Sequence, residues 1–130
     1  MPIQVDWDPN LPAIITYLLE GQWTWAEFFK ASEQEFELVT AIPGQRYDVI
    51  ANFTRTNHVP VGAAVSHVNR INQQRQQFGG LVVVLTSNQF IASLVKIGQK
   101  VYPIGNDNFR TAKTLEEALT LITNHRSLTS

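Results

Sequence analysis

Apolar and polar residues alternate from Ile3 to Trp7, the period-two pattern of a strand with one buried face. Asp8-Pro9-Asn10 is turn chemistry, and Ala13 to Leu19 is rich in β-branched and aromatic residues. A β-hairpin is therefore predicted at the start of the chain. After Gly21 the pattern changes period. Thr24 can cap a helix while Glu27, three residues on, reaches back to the cap amide, and Trp23 and Phe28 stand at staple positions. Trp25, Phe28, Phe29, Phe36 and Val39 then form one apolar stripe, with Lys30, Glu33 and Glu37 pointing away from it. Glu33, Glu35 and Glu37 are read together as a solvated helix face. Ile42-Pro43-Gly44 stops this first helix.

Beyond the stop, Tyr47 to Phe53 reads as a third strand and Thr54 to Val59 as a polar loop. A second helix is predicted from about Pro60 to Phe78, with Val61, Val65, Val68 and Ile71 facing inward. Gly79-Gly80 closes it and leads into Leu81 to Leu85, an unbroken aliphatic run expected of a central strand covered on both faces. Ser87 and Asn88 offer caps for a third helix reaching about Tyr102, and Phe109 to Lys113 is predicted as a fifth strand. Thr114-Leu115-Glu116-Glu117 is a second capping box, opening a short fourth helix on Leu115, Ala118, Leu119 and Ile122. His125 to Ser130 is expected to fray.

The resulting order is β-β-α-β-α-β-α-β-α. Strand-helix-strand units favour parallel pairing with right-handed crossovers, while the opening hairpin adds an antiparallel component. The fold class expected is therefore α/β, a mixed five-stranded sheet with about four helices. It should form one domain over residues 1–130, with an ordered core over about 3–124.

Composition supports that reading. The chain has 130 residues, 44% apolar and 16% charged, enough hydrophobic material for a core without staples. It has no cysteine, which removes thiol nucleophiles, disulfides and thiolate metal sites at once. The N-terminal residues lack the pattern of a signal peptide, and the longest apolar run is far too short to span a bilayer. A soluble, cytoplasmic protein without membrane insertion is expected. Net charge is −1, which makes no electrostatic case for nucleic acid. That sum hides a division, however. Positions 1–48 carry eight acids against Lys30 and Arg46, whereas positions 49–106 carry no acid and five cations, Arg55, Arg70, Arg75, Lys96 and Lys100.

No catalytic constellation can be assembled from the motifs. A glycine-rich phosphate loop is absent, since Gly79-Gly80 leaves a helix rather than entering one. His58, His67 and His125 have no ligand spacing with each other or with carboxylates. Neither a metal nor another cofactor is expected, and the protein is expected to be non-catalytic. What remains is positional: in open α/β sheets, ligands and partners favour the carboxyl ends of parallel strands, where loops meet helix N-termini. Here that edge offers Arg55, Thr56, Asn57 and His58 after the third strand, Gly62 beyond them, and Ser87, Asn88 and Gln89 after the fourth. With hydroxyls, amides and a cation but no acid, it suits an anionic group or an acidic partner surface.

The element order, together with Leu81 to Leu85, Asn88, a helix ending near Gly98, the strand Phe109 to Lys113 and Thr114-Leu115-Glu116-Glu117-Ala118-Leu119, resembles the STAS and SpoIIAA-like family. That family includes bacterial anti-sigma factor antagonists and the tails of sulfate transporters. The resemblance implies the fold and a habit of binding partners. Antagonists of the family carry a phosphorylatable hydroxyl in an Asp-Ser-Ser-Gly-like run at the start of the helix after strand three. This chain has Val59-Pro60-Val61-Gly62 there; the glycine matches, while the acceptor hydroxyl and the acid do not. Related folds include lipid-binding domains of the CRAL-TRIO kind, a second functional direction. Two roles follow as expectations. One is a regulatory module binding a protein partner, or a second copy, through the loop after strand three and the N-terminal halves of helices two and three. The other is a domain for a small apolar or anionic ligand, with Trp7, Phe28 or Phe53 lining a pocket.

Overall fold

The computed structural model describes residues 2–9, 11–42, 44–56, 70–71, 80–101 and 108–129. Five strands form one sheet in the order β1-β2-β3-β4-β5: β1 (Ile3–Trp7), β2 (Ile14–Gly21), β3 (Asp48–Thr56), β4 (Val82–Leu85) and β5 (Phe109–Ala112). The first pair is antiparallel, with Val5 opposite Tyr17, and the other three pairs are parallel. The mixed sheet expected from the alternation is present, and its spatial order follows the chain. β4, expected to be central, is an interior strand beside the central β3, and it is buried at every position, as its aliphatic run requires.

Three helices are described: α1 (Trp25–Thr40), α2 (Gln89–Val101) and α3 (Leu115–Thr129). Arg70 and Ile71 are also helical. The remainder of the predicted Pro60–Phe78 helix, with Val61, Val65 and Val68, lies outside the described residues. Side chains alternate across the sheet and divide the core in two. Val49, Ala51, Val82, Val84 and Phe109 join Phe28, Ala31 and Val39 of α1, Ile71, and Ile91 of α2 on one face. Ile50, Val83, Leu85 and Ala112 join Ala118 and Ile122 of α3 on the other. The sheet is sandwiched between helices, with α1 over β1 and α2 over β5.

The start of α1 follows the capping pattern. Thr24 Oγ1 accepts from the Glu27 amide at 3.2 Å while Glu27 Oε1 accepts from the Thr24 amide at 2.9 Å. The Trp23 and Phe28 rings lie 5.4 Å apart, closing the hydrophobic staple. The buried stripe is rotated from the predicted one. Its members are Phe28, Ala31, Ser32, Glu35 and Val39, so Glu35 is no part of a solvated face. It is fully buried, accepting from the Tyr17 hydroxyl and, at 2.6 Å, from the Tyr47 hydroxyl. A buried carboxyl survives because two phenols from β2 and the entry to β3 are turned onto it.

The amino ends of the parallel strands are held by a second buried group. Asp48 is 1% exposed; its Oδ1 accepts from the Leu81 amide at 2.7 Å and its Oδ2 from Arg126 Nε at 2.8 Å. The same guanidinium donates to the carbonyls of Pro12 and Ala13. Ala13 adopts φ 57, a left-handed conformation that turns its carbonyl toward both Arg126 and the Asp48 amide. Gly80 passes so close that a Cβ would lie 1.8 Å from the Tyr47 carbonyl oxygen, so only glycine fits there. Beside it, Arg46 donates to His125 Nδ1 at 2.6 Å. Burial and then the Arg46 charge hold the imidazole below its ordinary pKa, with Asp48 opposing them. The expectation of a frayed segment from His125 is thus overturned. The last turns of α3, which runs to Thr129, carry the anchors that tie it to the sheet.

Candidate functional site

The carboxyl edge of the sheet, opposite the Asp48 staple, gathers the ends of β2, β3 and β4 with the N-terminus of α2. The structure corrects the predicted loop after strand three. Pairing continues through Glu20 with Arg55 and Gly21 with Thr56, across a bulge after the Leu18–Asn52 pair. Arg55 and Thr56 are therefore strand residues. A bulge re-aims the residues beyond it, and Arg55 emerges on the same side as Glu20. The two side chains are 65% and 43% exposed, with Arg55 Nη1 3.6 Å from Glu20 Oε2. At that exposure the pair contributes at most about 1 kcal/mol and leaves the guanidinium accessible. Thr56 Oγ1 donates to the Leu19 carbonyl at 3.1 Å, locking the last turn of pairing. Asn52 Oδ1 accepts from both the amide and the hydroxyl of Thr54, an Asx-type brace. Asn57, His58 and Gly62 lie outside the described residues.

At the start of α2 the polar residues act as caps. Asn88 Oδ1 accepts from the Phe90 amide at 2.8 Å, and the Asn88 amide donates to Thr86 Oγ1 at 3.0 Å. Asn88 is the N-cap, as its residue type and position predict. Ser87, Asn88 and Gln89 are all exposed. The next residue is unusual: Phe90 is 53% exposed, and seven residues on Ile97 is 46% exposed, with partly buried Leu94 between them. Residues four and seven apart share one side of a helix. Lys96 and Lys100 are exposed on the same helix, which contains no acid. The exposed aromatic residue beside the predicted edge was not anticipated. It stands one position before Ile91, which is buried in the core.

The structure brings Arg55, Thr56, Ser87, Asn88 and Gln89 to one end of the sheet, while Trp7, Phe28 and Phe53 lie in or against the core cluster on one face. Trp7 stands opposite Ile15, at the amino end of β2, with its ring edge-on to Tyr47 at 6.3 Å. Ile15 pairs with Val49, four residues before Phe53 along β3, about 13 Å at the rise of a strand. Phe28 is buried in the core and stacked on Tyr17. Phe28 and Phe53 both pack on Trp23, with ring centroids 5.4 and 6.3 Å from its own, and Trp7 packs against the same core cluster. Among the described residues, no group of three or more histidine, cysteine, aspartate or glutamate side chains could hold a metal ion. No helix among them is long and apolar enough to cross a membrane.

No family model matches the chain, and no curated protein matches it. Among solved structures, it is similar to an uncharacterised protein of the DUF3478 family from Shewanella loihica PV-4, a crystal structure with a SpoIIAA-like fold. The TM-score is 0.60 at 12% identity, over 92% of this chain and 91% of that one. The chain has the SpoIIAA-like fold. The architecture that the element order implied is therefore established. At this identity the likeness concerns the SpoIIAA-like scaffold alone, and function must be argued from the site.

Proposed function

We propose that this SpoIIAA-like chain is a non-catalytic interaction module that receives an acidic protein segment with apolar anchors. The segment lies across the carboxyl edge at Arg55 and Ser87 to Gln89 and along the outer side of α2. The observation that carries the reading is Phe90, an aromatic ring 53% exposed on the first turn of a helix with two lysines and no acid. Single exposed apolar residues are ordinary. Two of them one heptad apart, flanked by cations and continuous with a polar edge where Arg55 pairs with Glu20, make a surface of mixed character, and aromatic and cationic anchors dominate binding at such surfaces. The acid-free run from 49 to 106 selects the sign of the partner, since like charges would be repelled and opposite charges steered in.

The reading is tested with Phe90→Ser combined with Lys96→Glu, both at exposed positions. A partner recovered with the unmodified chain is purified and its affinity measured for both proteins at low and moderate salt. The expected result is a loss of about tenfold or more, with a salt dependence that shrinks in the variant. Equal affinity for both chains would refute this surface. If the recovered partner is the same protein, and Glu33→Lys with Glu37→Lys on α1 abolishes association, the surface serves self-assembly instead.

A further inference from the structure

Open sheets carry a hazard at their two outer strands, where unpaired backbone groups can template pairing with another chain. In this sheet the outward groups are identifiable from the hydrogen-bond parity. The Asp8 amide donates to the Ile14 carbonyl and the Pro2 carbonyl accepts from Glu20, so even-numbered residues of β1 face β2 and Ile3, Val5 and Trp7 turn their backbone groups outward. On the far side, the carbonyls of Asn108 and Ala112 accept from Val82 and Thr86, which leaves Phe109 and Thr111 of β5 facing outward. On each edge, side chains meet part of the outward set. On β1, Gln34 Nε2 of α1 donates to the Val5 carbonyl at 3.2 Å, and the Trp7 amide donates to Asp6 Oδ1 at 2.8 Å. On β5, the Phe109 carbonyl accepts from Gln99 Nε2 of α2 at 2.9 Å and from Arg110 Nη1 at 2.7 Å.

We propose that Gln34 and Gln99 are edge guards: each flanking helix hangs a side-chain amide on the outward carbonyl of the strand beneath it, closing both edges of the sheet to strand addition. The two helices do this independently, from opposite edges and with the same residue type. The amide orientation follows from chemistry, because a flipped glutamine would set its oxygen against a carbonyl oxygen. Supporting features lie alongside: Pro2 and Pro9 bracket β1, Asp6 places a charge on it, and β5 is only four residues long, each a known way to blunt an edge. The consequence goes beyond the partner surface on α2 and does not depend on it: neither a partner nor a second copy joins this protein by extending its sheet.

The test compares sedimentation velocity of the unmodified chain, Gln34→Ala with Gln99→Ala, and Gln34→Lys with Gln99→Lys, with circular dichroism to confirm folding. A lysine still donates to the carbonyl and adds charge, so the lysine pair should remain as monodisperse as the unmodified chain. The alanine pair should self-associate at least about tenfold more tightly. A folded alanine pair as monodisperse as the unmodified chain overturns the proposal. Hydrogen exchange on the unmodified chain decides the matter if the alanine pair does not fold. The outward amides of Val5 and Thr111 should exchange at rates independent of protein concentration, and protection that grows with concentration overturns the proposal.

Discussion

The buried carboxyl of Glu35 makes a prediction whose sign is opposite to simple counting of bonds. Tyr47→Phe removes a hydroxyl that donates to Glu35 Oε2 at a fully buried position. The lost bond is 2.6 Å long, in the range of charge-assisted O–H···O contacts. Its removal, with the acceptor still shut away from water, should cost about 2–3 kcal/mol. For a chain of this size that is a fall of roughly 6–10 °C in Tm. Tyr17→Phe should behave alike, since Tyr17 donates to the other oxygen of the same carboxyl.

The triple variant Tyr17→Phe, Tyr47→Phe, Glu35→Leu removes donors and acceptor together and keeps similar volume. Replacing a whole buried polar cluster by apolar groups of like shape is often near neutral, so the triple should cost about 0–2 kcal/mol, less than either single change. Urea unfolding followed by circular dichroism measures all four chains, with equal m-values confirming that only stability has changed. A triple variant that loses as much as the two tyrosine variants combined would refute the reasoning, since the cluster would then contribute net stability bond by bond. Singles that lose less than about 0.5 kcal/mol would refute it from the other side, showing that water reaches the carboxyl.

Two further predictions concern the amino-end staple. Arg126→Ala should destabilise by about 2–4 kcal/mol in urea unfolding, somewhat less than a fully buried pair because the arginine is partly exposed, and adding Asp48→Asn should recover part of that loss. His125 has its folded pKa lowered below the ordinary 6.5 by burial and by Arg46, so the unfolded chain binds the extra proton more readily. The stability held by neutral His125 is complete above about pH 6.5 and is lost as pH falls through the lowered folded value. The stability difference between the unmodified chain and His125→Gln should therefore shrink on acidification below that point, and a difference that stays flat would refute the assignment.

Most of the architecture was legible because its signals are local. The alternation of Ile3 to Trp7, the aliphatic run at Leu81, the capping box at Thr24 and the Thr114 hydroxyl that accepts from the Glu117 amide each fix an element through nearest neighbours, and strand-helix-strand units then favour parallel pairing. The second capping box is not completed, because Glu117 Oε2 accepts from the Lys113 amide and not from that of Thr114. What was not legible depends on contacts distant in sequence. Glu35 lies seven residues from Phe28 and four from Val39, on the buried stripe by spacing. Only the phenols of Tyr17 and Tyr47, 18 and 12 residues away, make a carboxyl acceptable there. The anchoring of His125 and Arg126 likewise rests on Arg46 and Asp48, 79 and 78 residues away, which no local pattern announces. At the carboxyl edge, residue type correctly identified Asn88 as a cap. The strand status of Arg55 was hidden, since pairing past the bulge is set by β2 and not by the polar sequence of β3 itself.

These findings together give the SpoIIAA-like chain a direction. Its amino end is tied by Asp48 and Arg126 across the hairpin, β3, β4 and α3. One core face is pinned by Glu35, and side chains cover outward carbonyls on both sheet edges. A partner that must displace such contacts loses the free energy they hold, whereas one that meets Phe90, Ile97 and Arg55 displaces chiefly water. The tied end therefore supports the end proposed to bind. Substitutions at Asp48 or Arg126 should act on stability, with partner affinity falling only as the folded fraction falls, while Phe90→Ser should lower affinity and leave unfolding unchanged. A chain in which Phe90→Ser lowers stability as much as affinity would remove this separation, and with it the case for α2 as the recognition surface.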